Sequence, residues 1–534
     1  VGAKPLLPGC QGKQKSSGAI FMSNYANLTW TDNRGIQASW VRLLPGISFF
    51  AYVLLSVYAM LHHEPWGDEI HSWNIAKGSA SYLDVIQNSR YEGHPPTWYT
   101  IMWIVSKFTH NFSWVQAVHL SIATLTVFLI LFYSPLPLVS RLLIPFGYYF
   151  AFEFSVLARN YAIGVLTAFC ICLIMRRSFR YKMFCYYGLL LVLANGHLFG
   201  LILAGSLHLY YLVWDYEQHK NMRRIATHLL AGAVFLLPSC YFMFPPSTGA
   251  LNVNFWMGRW NISNVMITVQ SPLRSITPVP AWWDEHFWNT QFLMEWQHDY
   301  RWMKYFTPLL SVGIIAAIFF ILRKSRKSNL LFFSNLLVTG FISVLIFPLG
   351  CARYAGLIYI GFLAAWWLYC YEAMPVRWHK WVVNSLLVVQ MIAAAVAIGA
   401  DSGRPFSNFN RVGALVGKVP ANEKIVVDYW GANATAAFMD KPFYCLDLKK
   451  EVSFLLWDSD MAKLMKSNYR YTEGAEYLAT HGVDKFWMIS TGSPDNLSTV
   501  DTRFATAWQV KLMDKIEGAI EKGGNLYLYA VSKH

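Results

Sequence analysis

Residues 46–62 read G-I-S-F-F-A-Y-V-L-L-S-V-Y-A-M-L-H and run without a spacer into H63-E-P-W-G-D-E-I-H-S-W73. The first stretch is apolar and about as long as a membrane-crossing helix requires. The second sets two adjacent carboxylates, Asp68 and Glu69, directly behind it. No cleavable signal peptide is evident ahead of the run, so it reads as a permanent span that delivers both acids to the membrane surface.

The rest of the chain agrees with that start. Its 534 residues are 55% hydrophobic and only 14% charged, against roughly a quarter charged in soluble domains; mean hydropathy is +0.31. Residues 401–534 carry 16 Lys/Arg and 16 Asp/Glu, a soluble composition, so the whole net charge of +14 lies in the first 400 residues. Basic loops beside a membrane explain that charge, and nucleic acid is excluded as a partner. The 8 cysteines suggest neither a disulfide framework nor a zinc site.

Further apolar runs lie at 114–133, 155–175, 183–197, 198–214, 225–244, 303–322, 328–349, 354–373 and 381–400, with weaker ones at 97–110 and 137–152. The expected fold is a polytopic α-helical membrane protein of roughly 11–13 hydrophobic segments. Its divisions are an N-terminal cytoplasmic tail (1–45), a transmembrane domain (46–400) and a C-terminal α/β domain (401–534). Residues 1–21 are polar, and Met22 is a plausible native start. Basic clusters R176-R-S-F-R-Y-K182, K220-N-M-R-R224, R323-K-S-R-K327 and R377-W-H-K380 orient the helices. They leave 63–96, 153–160, 245–302 and 401–534 on the extracytoplasmic side. That arrangement demands an even number of crossings between Thr97 and Glu153, so the short run 97–110 is expected to be re-entrant or interfacial. Loop 245–302 is rich in Trp and reads as a lid. In the tail, strands are expected at 424–430, 442–447, 485–490 and 525–532, and helices at 451–481 and 508–522. Asp428 follows the first of these strands, without a glycine-rich phosphate loop. No internal repeat is visible, which disfavours an inverted-repeat transporter.

Four stretches carry chemistry. In H63-E-P-W-G-D-E-I-H-S-W73 the acids are scarce and flanked by aromatics; Asp68, with Glu69, is the candidate catalytic pair, against the plainer reading of a solvated loop. Y91-E-G-H-P-P-T-W-Y99 brings Glu92 and His94 to a helix mouth, as substrate ligands or as a capped, proline-stiffened helix start. F152-E-F-S-V-L-A-R-N-Y161 places Glu153, Arg159 and Tyr161 between apolar segments, where charges pair or function. G350-C-A-R-Y-A-G356 puts Arg353 and Tyr354 at the start of a late span, where an arginine either snorkels or clamps a phosphate. His197 and His119 are weaker candidates.

Together W66-G-D-E, Y91-E-G-H-P-P-T-W-Y, A158-R-N-Y-A-I-G164 and R353-Y354 resemble the GT-C glycosyltransferases over residues 46–400. The nearest branch is that of the protein O-mannosyltransferases and the lipid A aminoarabinose transferase. The resemblance implies a sugar donor on a polyprenyl phosphate and transfer by one inverting displacement. It makes Asp68 the base with Glu69 beside it, and Arg159 and Arg353 the donor-phosphate contacts. It implies no certain cofactor; a divalent metal near Asp68, Glu69 and Glu153 is compatible with it. Two positions depart from the pattern: Leu157 stands where many relatives have Glu, and His119 where many have Arg. The expected acceptor is an envelope glycolipid such as lipopolysaccharide, with protein or polysaccharide as alternatives, and the expected location is a bacterial inner membrane. A flippase of lipid-linked sugar, a glycan ligase and a non-catalytic receptor are the competing readings.

Overall fold

The computed structural model describes residues 39–251, 261–346, 348–439, 442–464, 466, 467 and 469–534. The first long helix, α1 (Leu44–His62), turns Phe50, Leu54 and Leu61 outward, as a helix bathed in lipid should. At its end the chain bends through Pro65 into α2 (Gly67–Gly78), α3 (Tyr82–Tyr91) and α4 (Thr97–Ser106). At 1.5 Å per residue, the ten residues of α4 extend about 15 Å, half a bilayer core, so the run at 97–110 does not cross. α5 (Ser113–Tyr133) does.

The return pass is broken. Residues 138–153 fold as the short helix Leu138–Leu143, a tight turn Ile144–Phe146 and a wide turn Tyr149–Glu153, because Pro137, Pro145 and Gly147 interrupt any continuous helix. Ser140 bonds Asn384 at one end of the bundle and Glu153 bonds Trp288 at the other, so the segment still spans the bundle. α5 and this broken pass supply the even number of crossings that the charge pattern demands. The span read at 155–175 is shorter: residues 154–160 are irregular and α6 is Tyr161–Met175. The bundle continues through α7 (Lys182–Ala194), α8 (Leu198–His219) and α9 (Met222–Met243). After α10 (Ile262–Ile276) come α11 (Met303–Leu322), α12 (Arg326–Leu345), α13 (Ala352–Glu372) and α14 (Arg377–Gly403). Eight of these helices have the length and hydropathy of membrane spans, and α6 and α7 are shorter apolar ones. The chain is a polytopic helical membrane protein.

α13 is the central helix: 89% of its membrane-length window is buried, against 11% for α9. Glycines at 356 and 361 let Tyr149 and Asn335 approach its backbone, the way small residues close membrane helix interfaces. The expected lid does not stand free. In its described part, α10 is anchored by bonds from Gln270 to Thr307 and from Gln390 to the Ser275 carbonyl, and Trp288 packs on Trp66 with ring centroids 4.6 Å apart. Residues 252–260, including Trp256, lie outside the described residues.

Beyond Gly403 the chain forms a six-stranded sheet of order β3-β2-β1-β4-β6-β5. Its strands are β1 (Ile425–Val427), β2 (Phe443–Cys445), β3 (Lys450–Val452), β4 (Lys485–Ser490), β5 (Trp508–Ile516) and β6 (Leu526–Lys533). β1 runs parallel to both β2 and β4, with α15 (Gly431–Phe438) following β1 and α16 (Arg470–Thr480) preceding β4. Two expectations fail here. Residues 508–516 form a strand, because W-Q-V-K-L-M-D-K-I pairs along β6 from Trp508–Lys533 to Ile516–Leu526. The helix expected over 451–481 is β3, a turn of helix at Ser459–Leu464 and α16, with Phe454, Leu455 and Trp457 packing between them.

A methyl group on Gly356 would run into the ring of Tyr149, which is held by stacking on Phe154 and Tyr359. Gly356→Ala should therefore lose about 1–3 kcal/mol, the usual cost of overpacking, despite the gain in helix propensity. A lowered melting temperature in detergent checks this; an unchanged or raised one contradicts the packing.

Candidate functional site

Asp68 is the second residue of α2, where the freed amides of a helix start favour a carboxylate. Its Oδ2 lies 3.2 Å from Arg353 Nη2 and 3.6 Å from Arg159 Nη2, and Arg159 Nη1 also donates to the Asp68 carbonyl (2.6 Å) and to Ser72 Oγ (2.5 Å). The Asp68 side chain is 42% exposed while both guanidiniums are largely buried, so the carboxylate faces open space over a cationic floor. Burial alone would raise the Asp68 carboxyl; Arg159 first, then Arg353 and His71, instead bring it below the usual aspartate range.

Arg353 is placed by α13, whose N-terminus is fixed by Asn289 Oδ1 accepting from Ala352 N at 3.0 Å. Arg274 braces the preceding loop through the Asn289 and Gly350 carbonyls. The guanidinium lies over Trp66, Tyr354 and Trp288 at 4.7, 5.0 and 5.5 Å from their ring centres. Among the described residues its buried Nε and Nη1 meet no acceptor, and the same holds for Arg159 Nε.

Glu69 points the other way. Its side chain is wholly buried: Oε2 accepts from Trp66 N (3.0 Å) and meets His63 Nε2 (3.1 Å), and Oε1 accepts from Ala158 N. It ties the start of α2 to the loop that carries Arg159. His63 bridges Glu69 to Asp401 Oδ2 at 2.9 Å. Burial alone would lower His63, but the charges of Asp401 and Glu69 raise it to about 10.

Glu92 joins the site's wall. It pairs with His71 Nε2 at 2.8 Å and accepts from Trp457 N at 3.2 Å, holding α2 to the C-terminal domain. Burial is outweighed at His71 by Glu92, so its pKa rises. His94 sits in the field of Asp68, Arg159 and Arg353; burial and then Arg159 lower it to about 3, so it is neutral there. Glu153 accepts from Tyr148 Oη (2.7 Å) and Trp288 Nε1 (3.2 Å) rather than pairing with Arg159. Tyr161 and Tyr354 face each other at 6.3 Å beneath the arginines. His197 stands behind Tyr161 and caps α8 by accepting from Gly200 N. His119 is buried against the Ser155 carbonyl, behind the Glu69 side of the site rather than on its open face. Among the described residues no three His, Cys, Asp or Glu side chains converge as a metal cage; both Glu69 oxygens and Glu153 Oε2 are taken by protein donors.

The C-terminal domain roofs this floor. His71 meets Asn433 at 3.1 Å, Ser407 donates to the Pro65 carbonyl at 2.5 Å, and His286 bonds the Ile520 carbonyl at 3.0 Å. Between roof and floor lies a cavity of about 420 Å³ that includes Asp68. Sequence reading missed Glu521, Arg470 and Trp288 as parts of the site. Burial, with the charge of Asp68 adding to it, pushes Glu521 up to about 7 against a hydrogen bond from the Gly523 backbone. The only sequence signal for this half was Asp428 at a strand end.

Fold and site together define a polytopic membrane protein with a carboxylate held by two guanidiniums at one end of its bundle, under an α/β roof. No protein-family model matches the chain, and no curated protein matches it. Among solved structures it is similar to ArnT from Cupriavidus metallidurans bound to undecaprenyl phosphate, at 11% identity over 93% of this chain and 98% of that one, with a TM-score of 0.46. ArnT from the same organism in the apo state gives 11% identity over 92% and 97%, with a TM-score of 0.45.

A raised His63 contributes stability that is complete below its ordinary value of 6.5 and is lost as pH rises through about 10. The melting-temperature deficit of His63→Gln should be greatest at pH 6 and shrink toward pH 10.5. A deficit independent of pH would contradict the charged bridge.

Proposed function

We propose that the chain is an inverting glycosyltransferase that moves one sugar from a polyprenyl-phosphate donor to an acceptor hydroxyl in the cavity. The observation that carries this is the Asp68–Arg353–Arg159 cluster, in which buried guanidinium N–H groups lack acceptors among the described residues at the end of an apolar bundle. Buried donors without partners are costly, and a phosphate oxygen is the natural acceptor for a guanidinium. A polyprenyl tail has to stay in lipid, so its phosphate is presented at this depth. The motif resemblance supplies the donor class.

Each residue then has a task. Arg353, stacked on three aromatic rings and short of acceptors, binds the phosphate, with Arg159 beside it. Asp68 takes the hydrogen bond of the acceptor hydroxyl. As the hydroxyl oxygen forms its bond to the anomeric carbon, the bond from that carbon to the phosphate oxygen breaks and the phosphate leaves with the electron pair. The hydroxyl proton passes to Asp68. The leaving phosphate gains negative charge as the bond breaks, and the guanidiniums stabilise it most at that moment. Attack from the face opposite the phosphate inverts the centre. Glu69 positions Asp68 through the α2 backbone; Glu92, through His71, holds the roof in place. The favoured acceptor is an envelope glycolipid, with the site facing the extracytoplasmic side of the inner membrane.

Asp68→Asn keeps the shape and removes the proton acceptor, so transfer should fall by about 10²–10⁴. Mass spectrometry of envelope glycolipids and exported proteins from cells making each form reads the result; equal sugar increments for both forms sink the mechanism. The two arginines hold Asp68 ionised in the free enzyme, so the acid limb of kcat/KM should lie below the ordinary aspartate value. In the complex the phosphate draws on the same guanidiniums, so the limb in kcat should move up relative to that in kcat/KM. Arg353→Gln should move the kcat/KM limb up as well, and an unmoved limb would remove Arg353 from the site's electrostatics.

A further inference from the structure

The cavity extends from Asp68 into the C-terminal domain at a particular place in its sheet. β1 leads through α15 to β2 on one side, while its other neighbour, β4, is reached through α16. The connections therefore leave in opposite directions between β1 and β4. In open α/β sheets the crevice at such a point, beyond the carboxyl ends of the strands, is where ligands bind. Asp428 and Tyr429 directly follow β1, and Thr491 and Gly492 directly follow β4; all four line the cavity.

The crevice is built before anything occupies it. Asp428 is fully buried, with Oδ1 accepting from Gly431 N (2.7 Å) and Oδ2 from Ser490 Oγ (2.6 Å) and Tyr471 Oη (3.2 Å). Arg470, at the start of α16, lies over the Tyr471 ring, and its buried Nε meets no acceptor among the described residues. Trp430, 42% exposed, and Trp457 line the same space edge to face, 6.4 Å apart and inclined at 65°. Asn433 and Asn496 add neutral polar groups.

We infer that this crevice is the acceptor subsite, that its ligand is the saccharide portion of the acceptor, and that it seats a sugar ring on Trp430 with one hydroxyl directed along the cavity to Asp68. The inference rests on the transferase reading and deepens it. Three features favour a saccharide. The acids Asp68, Asp428 and Glu521 are balanced by Arg470, Lys522 and His71, so the lining suits a neutral polyol better than a second phosphate. Indole faces beside carboxylate, amide and guanidinium groups match the alternating C–H and O–H surface of a pyranose. The edge strands β3 and β5 lie outside the lining, so no strand edge is offered for an extended peptide to pair with.

The test uses the full chain in lipid nanodiscs. The probe is the set of oligosaccharides released by mild acid from the envelope glycolipids of the producing cells, labelled with a fluorophore at the reducing end. Binding is read by anisotropy for wild type, Asp68→Asn, Trp430→Ala and Asn496→Ala. Trp430 and Asn496 are both solvent-accessible, so their loss leaves the fold intact. Wild type and Asp68→Asn should bind alike, and Trp430→Ala should bind at least tenfold more weakly, with a smaller loss for Asn496→Ala. No binding by wild type, or equal binding by all four, overturns the inference. So does binding of labelled tryptic peptides from the exported-protein fraction that Trp430→Ala weakens in place of the saccharide. Saccharide binding that depends on Trp430, together with undiminished sugar transfer by Asp68→Asn, would leave the subsite standing and remove the catalytic reading alone.

Discussion

An ionised carboxylate at the mouth of an apolar helix bundle has to be compensated, and the pairing of Asp68 with Arg353 and Arg159 does so. Much of the architecture serves that pairing. α2 carries Asp68, the irregular loop before α6 carries Arg159, and the central helix α13 carries Arg353. Glu69 joins the first two of these elements through amides at 66 and 158. Asn289 and Arg274 fix the third by satisfying the groups at the start of α13. The pairing is also incomplete: it leaves buried guanidinium N–H groups with no acceptor among the described residues. A structural ion pair gains nothing from leaving them so, whereas a bound phosphate, as proposed, would accept from them.

The roof changes what this floor can do. Trp457 and Asn433 from the C-terminal domain hold Glu92 and His71, so the cavity's walls come from both halves of the chain. The two guanidiniums beneath Asp68 are largely buried, and low local polarity strengthens their hold on its carboxylate. The domain's parallel strand ends open into the same space, so Asp68, above its two arginines, and a polar, aromatic crevice share one cavity.

Much of the membrane half was legible because its signals are local. Apolar length, flanking Lys/Arg and scarce acids mark spans and the functional end within short windows, and Asp68, Arg159 and Arg353 stood out as charges set where charge is costly. The broken pass at 138–153 was only weakly visible, since prolines lower the helical signal while the segment still spans. The pairing of Glu69 with His63 and Asp401, 338 residues apart for the last two, is a tertiary fact without local pattern. The roof was harder still. Its strands β1 and β2 are three residues long, β5 alternates too weakly to outweigh its helix-forming Lys and Met, and the meeting of Glu521 and Arg470 with Asp68 depends on how one domain sits on another.

The central claim is that Arg353 receives the phosphate of the lipid carrier. Its most direct test is the affinity of undecaprenyl phosphate, a carrier of the proposed class, for wild type and Arg353→Gln reconstituted in nanodiscs. The account predicts saturable binding by wild type and a loss of at least tenfold in the variant, steeper at low ionic strength. Equal affinities would contradict it and return Arg353 to the role of a structural counter-ion for Asp68.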